Sequence, residues 1–436
     1  MAGPISVESL VEPGRVHRRV YADPDIFEME MERIFGRAWI FVAHESQLRR
    51  PGDFLRAGIG REPLLVVRGE DNEIRVMRNR CLHRGMLVCI AGRGNVERFA
   101  CPYHGWVYGR DGRLLGVPQP DGYTSPRALG GADAGLAPVP RTGSYRGFVF
   151  ASLAEDGPDL GSFLGPAAKA LDNLVDRAPD GEIELAGGGF RQDYKGNWKL
   201  HIENANDLVH PTFVHESSIG VGRDFERGAA EDPATQQALQ MYAANGIPLS
   251  AMSEAGTRGF PRGHSHIGGF YESGMISAMP DTPEFNAYRE LLAARLGAER
   301  ADAVLGWDTY NHLIYPNLVL NPRFQSMRVV EPVAVDRTIA HSFCFRLKGA
   351  PQWLYESAVR FLTTLNSPAS LIATDDLEIY TGCQTGFAAA EPEWIDLGRE
   401  EGRDRPLDGG GYAGSGTSEL PIRTQYRAWL DYMRSG

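Results

Sequence analysis

Cysteine is scarce in this chain, with five residues in 436. Cys81, Cys89, Cys101, Cys344 and Cys383 follow no disulfide-like spacing, which excludes a small bridge-stapled scaffold and points to a reducing compartment. Positive charge is also short. Lys plus Arg total 45 against 56 Asp plus Glu, a formal net charge of −11, so there is no electrostatic footprint for nucleic acid. Long apolar runs are missing too. No stretch reaches the roughly 18 apolar residues of a membrane helix, and the leading MAGPISVESLVEPGRVHRRVY has no apolar core for a signal peptide. A soluble, cytoplasmic protein without nucleic-acid or membrane partners is expected. Its 42% apolar content suits full folding, and its length suits two domains at roughly 100–200 residues each.

What is present centres on Arg78 to Tyr108, RNRCLHRGMLVCIAGRGNVERFACPYHGWVY. Two Cys-His pairs, Cys81 with His83 and Cys101 with His104, sit at the tips of two adjacent loops, so two thiolates and two imidazoles can converge. Two centres fit such a set: a structural zinc, or a [2Fe-2S] cluster with two histidines on one iron. The flanks favour the second. Each loop gives one sulfur and one nitrogen, and Gly85 and Gly105 follow the histidines, where their amides are expected to approach the bridging sulfides. Cys89 reads as a small buried apolar residue. Arg78, Arg80, Arg84, Arg93 and Arg98 form either a basic rim for an acidic electron carrier or a solvated face.

Three segments follow from the pattern along the chain. Residues 1–38 form an N-terminal helical segment, with Asp23 as N-cap and Pro24 at the first helical position. Residues 39–155 carry short β runs at Asp53–Ile59, Pro63–Val67, Ile74–Met77 and Tyr145–Ser152, and the polar stretch Ala154–Gly165 closes that domain. Residues 156–436 form the second, larger domain. Here strands at 190–194, 312–314, 318–320, 327–333 and 338–347 predict an antiparallel sheet, with helices at 167–176, 283–296, 353–365 and 426–433. The Gly-rich stretch from Glu216 to Arg262 reads as loops and short helix forming a lid, and Gly398–Ser418 as a flexible tail.

The second constellation lies in GNWKLHIENANDLVHPTFVHESS. A helix from Trp198 would place Glu203, Asp207 and His210 on one face at i, i+4 and i+7. Pro211 disfavours helix at His210, and a bend there would turn His215 back towards His210. Two imidazoles and one carboxylate with open positions make the facial triad of non-haem Fe(II) oxygenases, so the missing ligand is an Asp or Glu.

Taken together, these motifs resemble the large (alpha) subunit of Rieske non-haem iron aromatic ring-hydroxylating oxygenases, over nearly the whole chain. C-x-H-R-G and C-P-Y-H-G-W match the Rieske signature, and D-x2-H-x4-H matches at Asp207, His210 and His215. The resemblance implies an α+β architecture: an antiparallel all-β Rieske domain followed by a helix-covered antiparallel sheet. It implies Cys81, His83, Cys101 and His104 as cluster ligands, and His210 and His215 as iron ligands. It also puts the late carboxylate in SLIATDDLEIY at Asp376, with Asp375 as alternative. Asp207 matches an acidic bridge between histidines of neighbouring subunits, or else a carboxylate that only orients His210. The implied system is a homotrimer, or a trimer with three small beta subunits. It is fed from NAD(P)H by a ferredoxin or reductase, uses O2, and hydroxylates an aromatic substrate. The other reading is an electron carrier with a structural second domain. The spacing from Glu203 to Pro211 is similar to oxygenases of salicylate, terephthalate and related aromatic acids, for which Arg323 and Arg328 are candidate carboxylate partners.

Overall fold

Short antiparallel pairings build the first unit, as the β runs predict. The computed structural model describes residues 6–123, 134–226, 238–239, 241–243, 245–270, 280–307 and 309–434. Its two compact units are Phe35–Phe163, and Met1–Ile34 together with Leu164–Gly436. Among the described residues no helix is long and apolar enough to cross a membrane.

In the Phe35–Phe163 unit one sheet orders Ile74–Arg78, Glu62–Arg68, Asp53–Ile59 and Arg93–Asn95. Leu64, Leu65, Val66 and Val67 are all buried, so this strand reads as a continuous apolar run where an alternating one would mark a solvated face. A second sheet joins Phe99–Ala100, Val107–Tyr108 and Leu114–Gly116. Between them Phe54, Leu65, Met77, Phe99, Trp106 and Tyr108 form a core that also holds Cys81 and Cys101. The roots of both Cys-His loops are therefore set in packed apolar side chains.

This unit is wider at both ends than a 39–155 span. Its third sheet pairs Ile40–His44 with Phe148–Ser152. The chain beyond Ser152 stays fastened because Trp39 Nε1 and an Arg141 guanidinium nitrogen each donate to the Pro158 carbonyl at 2.9 Å. Nor do residues 1–38 form a segment of their own. The Glu30 carboxylate, 0% exposed, accepts from Lys199 Nζ at 2.6 Å, Trp198 Nε1 at 2.8 Å and Trp429 Nε1 at 2.7 Å. A buried charge persists only with partners of this kind. The strand Arg15–His17 also pairs with Trp394–Asp396.

The second unit is built on a 10-stranded antiparallel sheet. Its central order is Arg337–Leu347, Ser326–Ala334, Leu318–Asn321, Asn311–Ile314, Ser265–Phe270 and Ala255–Gly259. Helices Gln352–Asn366 and Leu371–Phe387 accompany it, and the final helix Leu420–Arg434 buries Tyr426, Trp429 and Met433 on one face.

One expectation fails here and another holds only in part. The Gly398–Ser418 tail contains strands Arg405–Pro406 and Tyr412–Ser415, which extend the sheet. Buried Arg423 also ties this stretch down, reaching Asp404 and the carbonyls of Leu397 and Arg399. The stretch from Glu216 to Arg262 does contain helix, at Glu216–Glu226, but it also supplies strand Ala255–Gly259, which its composition hid, while 227–237 lies outside the described residues. Glycine-rich polar sequence reads as loop, but sheet-edge pairing is decided by distant partners.

Candidate metal centres

The same pair of backbone bonds closes both Cys-His loops. Gly85 N–H donates to the Cys81 carbonyl at 3.0 Å and Cys81 N–H to Met86 at 2.8 Å; Gly105 and Cys101 repeat this at 3.0 Å and, towards Trp106, 2.7 Å. Gly85 has φ +75° and Gly105 φ +69°, a conformation that glycine adopts without penalty. Their role therefore differs from the expected one: their amides are donated inside the turn, to cysteine carbonyls, and glycine is required for backbone shape.

Buried Tyr108 contributes a contact that the sequence reading missed. Its hydroxyl accepts from Leu82 N–H at 3.0 Å, which leaves its own proton for Cys81 Sγ at 3.1 Å. The only signal was its place on the strand returning from the second loop. The His83 and His104 rings lie 4.5 Å apart between centroids, and His83 stacks on Trp106 at 5.1 Å. His83 Nδ1 is buried with no hydrogen-bond partner. Such an atom is costly unless something else satisfies it, and metal ligation does. Around the loops Arg80, Arg84, Arg93 and Arg98 are exposed, whereas Arg78 is paired with Glu62.

In the second unit, helix Trp198–Asn204 stops before Asp207, so Glu203, Asp207 and His210 do not share a helical face. Glu203 turns inward. It accepts from Tyr426 Oη at 2.6 Å, Tyr21 Oη at 3.0 Å and Gln425 at 3.2 Å, and burial pushes its pKa up to about 7. Asp207 occupies the break. Its two oxygens accept from the amides of Val209 at 2.9 Å and His210 at 3.1 Å. A new helix, His210–Val214, starts there with Pro211 in its first turn. The bend thus precedes His210, because proline suits a helix start as well as it breaks a helix interior.

His215 follows that helix and is 2% exposed. Asp375 and Asp376 lie near the start of helix Leu371–Phe387, which Ser370 caps through Ala373 N–H. The two aspartates take different places. Asp376 Oδ1 is 3.4 Å from His215 Nε2 and 3.7 Å from His210 Nε2, and it accepts from Asn204 Nδ2 at 2.9 Å. Asp375 Oδ2 meets the other ring nitrogen, His215 Nδ1, at 3.3 Å. Burial lowers the His215 pKa despite both carboxylates, which favours the neutral imidazole that a metal needs. Burial would raise Asp207, but the His210 ring and the two amides outweigh it and hold the carboxyl below its ordinary pKa.

Among the described residues only His210, His215 and Asp376 bring three donors within 4.8 Å of one another. The Cys81, His83, Cys101 and His104 donors form no such single group, which suits ligands divided between two irons. Both donor sets therefore fit the centres read from the sequence.

Asp207, His210, His215 and Asp376 line a cavity of about 260 Å3 walled by Ile267, Val319, Met327, Phe361 and Ile372, with Asn311, Asn321 and Arg328 as polar members. A mostly apolar wall with a few polar groups is the usual form of a small-molecule site. Arg323 does not reach it. That side chain is exposed, lies over the Phe324 ring and lines a separate cavity.

Residues 38–128 match the Rieske [2Fe-2S] domain, and residues 182–435 match the ring hydroxylating alpha subunit (catalytic domain). The chain belongs to the ring-hydroxylating oxygenase alpha-subunit family. It is 33% identical over 389 residues to the 2-halobenzoate 1,2-dioxygenase large subunit of Burkholderia cepacia, covering 88% of this chain and 80% of the relative. Identity to the toluate 1,2-dioxygenase alpha subunit of Pseudomonas putida is 32% over 414 residues, covering 92% and 87%. A naphthalene 1,2-dioxygenase variant bound to phenanthrene superposes with TM-score 0.81 at 25% identity, covering 97% and 94%. This ring-hydroxylating oxygenase subunit is thus an α+β oxidoreductase that uses a Rieske [2Fe-2S] cluster, mononuclear iron and O2, and its activity goes beyond electron transfer.

Proposed function

We propose that this chain is the terminal oxygenase of a multicomponent system that hydroxylates an aromatic ring, with its residues divided between two centres. Cys81 and Cys101 supply thiolates and His83 and His104 imidazoles to the cluster. His210, His215 and Asp376 hold the iron. When bound, the cluster supplies single electrons and the ferrous iron supplies O2 activation.

The remaining roles belong to side chains around those ligands. Tyr108 donates to the Cys81 sulfur, stabilising the thiolate. Asn204 holds Asp376 in the orientation that faces both imidazoles, and Asp375 fixes His215 through its far nitrogen. The apolar cavity wall excludes water and seats the ring beside the donors. Exposed Arg80, Arg84, Arg93 and Arg98 suit an acidic ferredoxin or reductase, itself supplied by NAD(P)H.

Asp207 is the proposed link between centres across a subunit boundary, in a homotrimer or a trimer with small beta subunits. Its side chain is 21% exposed and lies 3.4 Å from His210 Nδ1, so it can face a Rieske-loop histidine of a second copy while touching no metal. The observation that carries the proposal is the convergence of His210, His215 and Asp376 on an apolar cavity. The test is turnover with a generic reductase and a panel of aromatic acids and hydrocarbons. Hydroxylated product with matching O2 uptake is expected, and NAD(P)H oxidation without product from any aromatic would contradict it.

A further inference from the structure

We propose that Arg328 is the anchor for a substrate carboxylate, making this an oxygenase of aromatic acids; the inference rests on the oxygenase reading above. The register of the sheet places it. Arg328 pairs with Val319 and Ser326 with Asn321, so these four alternate residues share one face, and all four line the cavity that holds His210, His215 and Asp376.

The decisive feature is charge. The Arg328 side chain is half-buried in the cavity wall, and desolvation there lowers its pKa. Arginine starts so high that it stays cationic at neutral pH. Among the described residues its one hydrogen-bond partner is the Asn311 side-chain oxygen at 3.2 Å. That oxygen faces Arg328 because the Asn311 amide nitrogen is committed to the Ala205 carbonyl at 2.8 Å. No described carboxylate forms an ion pair with Arg328. Asp376 is taken by both imidazoles and Asn204, and Asp207 by two amides and Arg399. Asp376 acts on this cation only at longer range, and a partly desolvated guanidinium whose hydrogen-bonded neighbour is neutral keeps part of its desolvation cost. An anion arriving in the cavity relieves that cost, and a planar carboxylate matches the guanidinium's paired donors. Ser326 and Asn321 are polar neighbours along the same face.

A carboxylate held at Arg328 fixes which ring carbons face the metal ligands, so the anchor sets regiochemistry as well as class.

The experiment compares benzoate with benzamide, a neutral mimic of similar shape, in the iron-loaded wild type and in Arg328→Gln and Arg328→Lys. Binding is read by calorimetry and turnover by product. In wild type, benzoate should bind more tightly than benzamide. Arg328→Gln should cut that preference on the order of 100-fold, chiefly through KM and Kd, and Arg328→Lys should restore part of it. Iron content and circular dichroism report whether each variant folds and loads. An unchanged preference in loaded Arg328→Gln, or equal losses for both ligands, overturns the anchor. Wild type that binds benzoate but hydroxylates no aromatic leaves the anchor standing and overturns the oxygenase reading instead.

Discussion

The two donor sets are built in opposite ways. In the Rieske unit each loop is nearly self-sufficient: a short turn closed by its own cysteine and glycine, used twice. In the catalytic unit the site exists only after distant pieces meet. His215 and Asp375 are 160 residues apart in sequence, and Asn204 and Asp376 are 172. Local turns specify the first centre and tertiary packing the second. One should therefore respond to changes in its loops, and the other to changes far from it.

The largest effect that would break this division is at the iron site. His210→Ala or His215→Ala should abolish turnover and iron occupancy there while the visible Rieske bands persist. A variant that lost the Rieske absorption, or kept its turnover, would show that the centres are not independently built.

Remote dependence of the catalytic unit comes next. Glu30→Ala leaves buried Lys199 without its partner and should cost about 3–5 kcal/mol, seen as a lower denaturation midpoint and lost iron. Retention of wild-type stability would mean that the N-terminal segment is dispensable to that core.

A smaller, pH-dependent effect sits at Glu203. Its carboxyl, normally near 4.5, is raised to about 7 by burial, so the fold holds its proton more tightly than the unfolded chain does. The resulting stabilisation is full below about pH 4.5 and fades as the pH rises through 7. Glu203→Gln keeps an acceptor for Tyr21 and Tyr426 but does not titrate. Its stability relative to wild type should rise between about pH 5 and pH 8, by on the order of 2 kcal/mol. A difference independent of pH would mean that Glu203 is not held protonated.

The smallest test concerns the turns. Gly85→Ala places a Cβ at φ +75° without a clash, so only backbone strain is felt, about 1–2 kcal/mol. Gly92→Ala, where the space is open and φ is not positive, is the control and should cost far less. Equal midpoints would refute the requirement for a left-handed residue in the loop.

Legibility in the sequence follows the same contrast. The meeting of the two Cys-His loops was readable because Cys81 to His104 is one short stretch with a loop signature, and the approach of His210 to His215 because their spacing survives a change of local structure. Asp376 needed the family pattern, since nothing near it in sequence marks a ligand. Asn204, Asn311 and the true role of Glu203 were not readable. Each is defined by a partner more than 100 residues away, such as Tyr426 for Glu203 at a separation of 223. Arg323 and Arg328 looked alike in the sequence, and only the register of the sheet separated them.

The central claim is that both centres of this chain work as one oxygenase coupled through Asp207. It is tested most directly by reducing the fully loaded enzyme, adding aromatic substrate and O2, and following Rieske reoxidation in a single turnover, in wild type and in Asp207→Ala. The account predicts fast reoxidation with product in wild type. In the variant, with both metal centres still present, reoxidation should slow on the order of 100-fold. Reoxidation of Asp207→Ala at the wild-type rate, with product, would contradict it.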